Sequence, residues 1–230
     1  MNNILSNSVI FGFCITIMTY WFGFILRKRY NYPIINPILV SVILIMLFIV
    51  VFDVDYEVYR QGSNYISSFL TPATVCLAIP LYQKIKLLRE NVVAILLGVL
   101  TGVLASMFIV YGIAILFGLT SSEYVTLLPN SITSAIAIEM MAEYGGIINI
   151  TVGVIIATGL FGNMTSDFIL KLFRITNPIA KGIAIGTSSH AIGTARAIEM
   201  GEEEGAMASL AIVVTGLCTV VAMSIFYHMY

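Results

Sequence analysis

Residues 186–200 run Gly186-Thr187-Ser188-Ser189-His190-Ala191-Ile192-Gly193-Thr194-Ala195-Arg196-Ala197-Ile198-Glu199-Met200, a polar and charged stretch. It sits in a chain of 230 residues that is 59% hydrophobic and only 10% charged. Soluble domains carry about 25% charge, so this balance places the chain in a bilayer. Lipid does not accept exposed hydroxyls, imidazole or guanidinium, so the stretch must face protein or a watery cavity. That requirement constrains the fold more than any other feature of the sequence.

The stretch has a relative. At an offset of 60, Ile132, Ala135, Ala137, Ile138, Glu139 and Met140 recur as Ile192, Ala195, Ala197, Ile198, Glu199 and Met200. Glu143 with Glu203 and Gly145 with Gly205 keep the register. The copies lie around residues 129–146 and 186–205 and are expected to build one site. At an offset of 59, Thr74, Ala78 and Ile79 match Thr133, Ala137 and Ile138, a fainter third copy.

Apolar runs set the spans. Residues 4–26, 38–52, 64–82, 92–116, 147–161 and 206–226 are the expected crossings, at ~1.5 Å per residue through a core of ~30 Å. The first run is too long for a signal peptide and lacks a basic start, so it counts as a span. Pro72 and Pro80 interrupt the third run, either as a packing kink or as a broken helix lining the site. Residues 53–60 and 120–123 are expected as outer loops, and 167–176 as an amphipathic segment along the inner surface. Glu202, Glu203 and Glu204 read as a solvated helix end. Cys14, Cys76 and Cys218 lie in apolar runs without ligand spacing, so they act as small fillers.

Positive charges cluster at 27–29, 84–89 and 171–181, and the positive-inside rule puts all three inside. The first repeat copy is then entered from outside and the second from inside. The expectation is an all-α integral membrane protein of about six full helices. Two broken or re-entrant segments in inverted repeats join them, as in secondary transporters. Residues 1–230 form one transmembrane domain on this reading.

The copies also suggest a chemistry. Pro129-Asn130-Ser131 and Thr187-Ser188-Ser189 have the residue types that cap helix starts. Two helix N-termini meeting at the midplane would favour a carboxylate. Asn130, Ser131, Thr133, Thr187, Ser188, Ser189, Thr194 and Thr74 are candidate contacts, and Arg196 offers a bidentate fork. Hydroxyls of this kind also serve as glue between helices. His190 is either a structural hydrogen-bonder or a proton carrier. Arg196 and Glu199 are three apart and pair if helical. Glu139 faces Ile136 at the matching position, which makes it a candidate coupling carboxylate, with Glu199 as its counterpart. No metal-ligand cluster, nucleotide loop or nucleophile elbow occurs, so neither catalytic residue nor cofactor is expected. No basic patch points to nucleic acid.

With these residues in view, the chain resembles the LrgB/CidB family of bacterial membrane proteins over nearly its whole length. The stretch 181–210 carries most of the likeness, with 71–75, 78–82 and 129–133 as further blocks. The family usually has lysine where this chain has Asn130. The resemblance implies either of two functions. One is antiholin-like control of murein hydrolase export and cell lysis, with a small LrgA/CidA-type membrane partner. The other is transport of small monocarboxylates such as pyruvate, glycolate or glycerate, the plastidal glycolate/glycerate translocator being a relative. The duplicated polar motif favours a proton-coupled carrier in a bacterial plasma membrane, with a homo-oligomer compatible with the sequence.

Overall fold

The computed structural model describes residues 10–30, 36–69 and 85–230, with 72, 75, 76, 79 and 82 between them. Thr74 and most of the expected third span lie outside the described residues. No strand occurs among the described residues. The chain divides into two compact units, Met1–Leu77 and Ala78–Tyr230.

In the first unit, α1 (Phe11–Tyr30) and α2 (Pro37–Val51) pack antiparallel. Asn36 caps α2 by accepting from Ile38 N, and Pro37 occupies the first turn, where its missing N–H costs nothing. Thr19 Oγ1 meets Ser41 Oγ at 2.8 Å between them. Of the expected outer loop at 53–60, residues 53–55 link the helices and 56–60 are the start of α3 (Tyr56–Ser67). Asp55 caps it, and Glu57 pairs with Arg60 one turn on. Capping and an i,i+3 pair outweigh the polarity that read as loop.

The second unit holds the site. After the short α4 (Ile85–Glu90) come three helices long and apolar enough to cross a membrane: α5 (Val92–Phe117), α8 (Ile148–Leu172) and α10 (Glu202–Phe226). The expected boundary at 161 does not exist. α8 continues unbroken through the segment expected on the surface, and only residues after Leu172 leave it. α10 is the core. Ala206, Met207, Ala208, Ala211 and Met223 are wholly buried along it.

Between these helices lie two hairpins that enter the unit from opposite ends. Hairpin 1 comprises α6 (Ser121–Leu127) and α7 (Ser134–Tyr144). Its mouth closes on itself, with Ser122 Oγ donating to Gly145 O at 3.2 Å and Ile147 N to Thr126 Oγ1 at 2.9 Å. The expected loop at 120–123 is a capping box that starts α6, Thr120 and Glu123 each bonding the other's backbone N–H. Hairpin 2 is α9 (Pro178–Met200), two helical arms broken at His190, whose φ is 40° and ψ −138°. Its arms fold back on each other, so that a methyl group on Gly193 would come within 3.0 Å of Ile185 Cγ2. At its mouth Lys181 pairs with Glu204 at 3.5 Å. Glu204 is only 8% exposed, so one of the three glutamates expected in solvent is instead tucked beneath the hairpin.

The copies therefore re-enter; neither crosses. α7 has 11 residues, about 16 Å of helix, half of a bilayer core. The break between α6 and α7 and the break at His190 fall at matching positions of the 60-residue repeat, Asn130 opposite His190.

Candidate functional site

The tips of both hairpins reach the middle of the long helices. Asn130 and Ser131 sit against Ser106, halfway along α5. Ser106 Oγ lies 3.2 Å from Ser131 Oγ and 3.4 Å from Asn130 Oδ1, while Ser131 Oγ donates to Asn130 Oδ1 at 2.8 Å. Asn130 Nδ2 donates to Leu127 O, satisfying a carbonyl that the end of α6 leaves open.

The tip of hairpin 2 sits on the middle of α8. Gly159 makes room for the imidazole of His190: a Cβ there would stand 2.6 Å from its Cε1. Gly162 makes room for Ser189 in the same way. His190 Nε2 lies 2.8 Å from Ile155 O, and because a carbonyl only accepts, the ring proton belongs on Nε2. The freed carbonyl of His190 accepts from Thr194 Oγ1 at 2.9 Å. Asn163 Nδ2 donates to Ile192 O and fixes the start of the second arm.

Between the tips lies a cavity of about 1020 Å³. One wall is the small-residue face of α5, with Gly98, Gly102, Ala105 and Ser106. Hairpin 1 contributes Leu127, Asn130 and Ser131, α8 contributes Val154, Thr158 and Phe161, and hairpin 2 contributes Ala184, Thr187 and Ser188. Thr187 Oγ1 is buried and has no hydrogen-bond partner. A narrower cleft continues from Gly98 and Ala184 to Asn91 and Asn177, at the end of the unit where hairpin 2 enters.

The structure thus gathers Asn130, Ser131, Thr187 and Ser188 around one space. Ser189, His190 and Thr194 are buried just behind it, holding the tip in shape. Thr133 caps α7 by position without a side-chain bond. Thr187 and Ser188 do not cap the second arm. They lie in the last turn of the first arm, where Ser188 Oγ donates back to Ala184 O. Arg196 stands apart from the cavity. Its Nε and Nη2 donate to Asp167 Oδ2 at 3.0 and 2.7 Å, and Nη1 to Glu199 at 2.6 Å, tying the second arm to α8. Glu139 lies on the exposed face of α7 and does not line the cavity.

Sequence reasoning missed Ser106, Thr158, Gly159, Gly162 and Asn163. A signal existed for the glycines, since small residues within a span mark close helix approach. Nothing local marked Ser106 or Thr158.

A model of the LrgB-like family matches residues 16–229. The chain is 37% identical over 211 residues to the holin-like protein CidB of Staphylococcus aureus, covering 92% of each. It is 37% identical over 217 residues to the antiholin-like protein LrgB of Bacillus mycoides, covering 94% of each. No solved structure matches it.

Proposed function

We propose a function on one premise: the chain belongs to the LrgB-like family and is a bacterial cell-membrane protein. The reading that the geometry supports best is a carrier of small monocarboxylates, 2-oxo or 2-hydroxy acids such as pyruvate or glycolate. It is proton-linked and works with a small LrgA-type partner. One observation carries this reading. Two inverted hairpins bring their polar tips to a single cavity at the middle of the long helices. Interrupted helices of inverted repeats meeting at the midplane are how secondary carriers build a site reachable from either side. A simple pore former has no use for a duplicated polar tip.

The names of the relatives favour a second reading, an antiholin-like regulator of murein hydrolase release acting through a CidA- or LrgA-type partner. The two are separated by uptake of radiolabelled pyruvate and glycolate into proteoliposomes, with and without the partner. Saturable uptake that falls in Ser106→Ala and Asn130→Ala supports the carrier. Folded protein with no uptake in either composition, alongside altered hydrolase release in cells, supports the regulator.

A further inference from the structure

We propose that the cavity holds its substrate as the neutral acid, with the coupled proton riding on the substrate's own carboxyl group and not on a side chain. The inference rests on the carrier reading. It begins with where the charges of the chain stand. Glu139 on α7, Asp167 on α8, and Arg196 with its partner Glu199 on the second arm of hairpin 2 are four of the charges on the elements around the cavity.

None of the four reaches the cavity. α5 carries no charge from Asn91 to Phe117. On hairpin 1, Glu123 sits at the mouth, and Glu139 and Glu143 occupy the exposed face of α7. On α8, Asp167 is held by Arg196, which also holds Glu199 of hairpin 2. Lys181 and Glu204 of α10 pair at the opposite mouth. His190 is turned away onto Ile155 O. No charged or imidazole side chain lines the cavity among the described residues.

The backbone points the same way. The expectation of two positive helix starts facing the ligand is not what the cavity presents. Leu127 ends α6, and Thr187 and Ser188 end the first arm of hairpin 2. Both are C-terminal ends, whose partial negative charge favours a hydrogen-bond donor over an anion. A carboxylate only accepts, whereas a carboxylic acid also donates one O–H. Ser106, Asn130, Ser131 and the unpartnered hydroxyl of Thr187 offer donors and acceptors together.

The cycle balances simply. At the entry face the carboxylate takes one proton from water, and at the exit face the acid returns it. One proton and one carboxylate move together as the acid, with no net charge.

The test is initial uptake of radiolabelled pyruvate and of propionate, a weaker acid of similar size. The purified protein, with its partner if uptake requires it, is reconstituted in liposomes over a pH series, and uptake by protein-free vesicles is subtracted. Only the competent fraction of the substrate binds, so the apparent KM in total substrate rises about tenfold per pH unit above each acid's own pKa, at constant kcat. The two profiles are therefore displaced from one another. Glu139→Gln and Glu199→Gln leave both profiles in place, sodium replacement by choline changes nothing, and no current accompanies uptake. A profile common to both acids, one that moves in either variant, a sodium requirement or a net current overturns the proposal while leaving the carrier standing. Absence of saturable uptake at every pH removes both.

Discussion

Arg196 holds carboxylates on two helices with one guanidinium. The i,i+3 pairing of Arg196 with Glu199 was legible from spacing, but its second partner was not, because Asp167 is 29 residues away on another helix. Both ends of the Arg196–Asp167 pair are partly open to solvent, so their coupling is modest. A double-mutant cycle with Arg196→Ala and Asp167→Asn, read by thermal unfolding in detergent, is expected to give about 1 kcal/mol. Additive effects would show that the pair does not hold the second arm. Glu123 makes the other residue-scale prediction. Its carboxylate accepts from the backbone N–H of Thr120 and from its hydroxyl, which holds its pKa below the usual 4.5. A folded pKa below the unfolded one stabilises α6 above the unfolded value, and this contribution is lost as pH falls through the folded value. The protection factors at the start of α6, which divide out the intrinsic pH dependence of exchange, should therefore fall on acidification in the natural chain. Glu123→Gln should flatten that response; an unchanged slope means that the box does not set it.

The hairpins are where the sequence was most and least informative. The 60-residue repeat announced two equivalent elements and placed their breaks near Asn130 and His190. It did not say where each helix resumes, because serine and threonine serve equally as caps and as residues of a last turn bonding back to i−4. Thr187 and Ser188 take the second role. His190 carries the break itself with a φ that an L residue seldom adopts, and the pattern of side chains gave no sign of it. The structure makes a test of the tips direct. In a background with Cys14, Cys76 and Cys218 replaced, a cysteine at Ser131 or Ser188 should react with a small aqueous thiol reagent. One at Ser189, 1% exposed against Gly162, should not. Equal protection at all three would mean that the cavity is not reached by water. Hairpin 2 also depends on a contact with no slack. A Cβ on Gly186 would meet the backbone of Ala208, 2.8 Å from its Cα. Gly186→Val should therefore displace hairpin 2 from α10 and lower the yield of folded protein in detergent, whereas Ala184→Val, on the cavity side, should spare the yield.

At the scale of the second unit, hydropathy found α5, α8 and α10 because length and apolar content suffice for a span, but it could not tell re-entry from crossing. That distinction lives in contacts such as Ser122 to Gly145 and Lys181 to Glu204, which bring each hairpin's two ends together. It has a direct readout. Single cysteines at Ser121 and Gly146 should be labelled by an impermeant reagent from one side of sealed vesicles, and those at Thr176 and Glu203 from the other. Opposite labelling of Ser121 and Gly146 would mean that hairpin 1 crosses. The burial of hairpin 2 on α10 has a further consequence, in time. The first arm lays Gly182 and Gly186 against Glu204, Met207 and Ala208, residues that leave the ribosome after it. Until they arrive, α5 and α8 can cover the faces that carry Thr187, Ser189 and Arg196, but the face with Gly182 and Gly186 stays open. The second hairpin is closed in on all sides only when the final span has been made. Biosynthesis therefore encloses the centre of the site last.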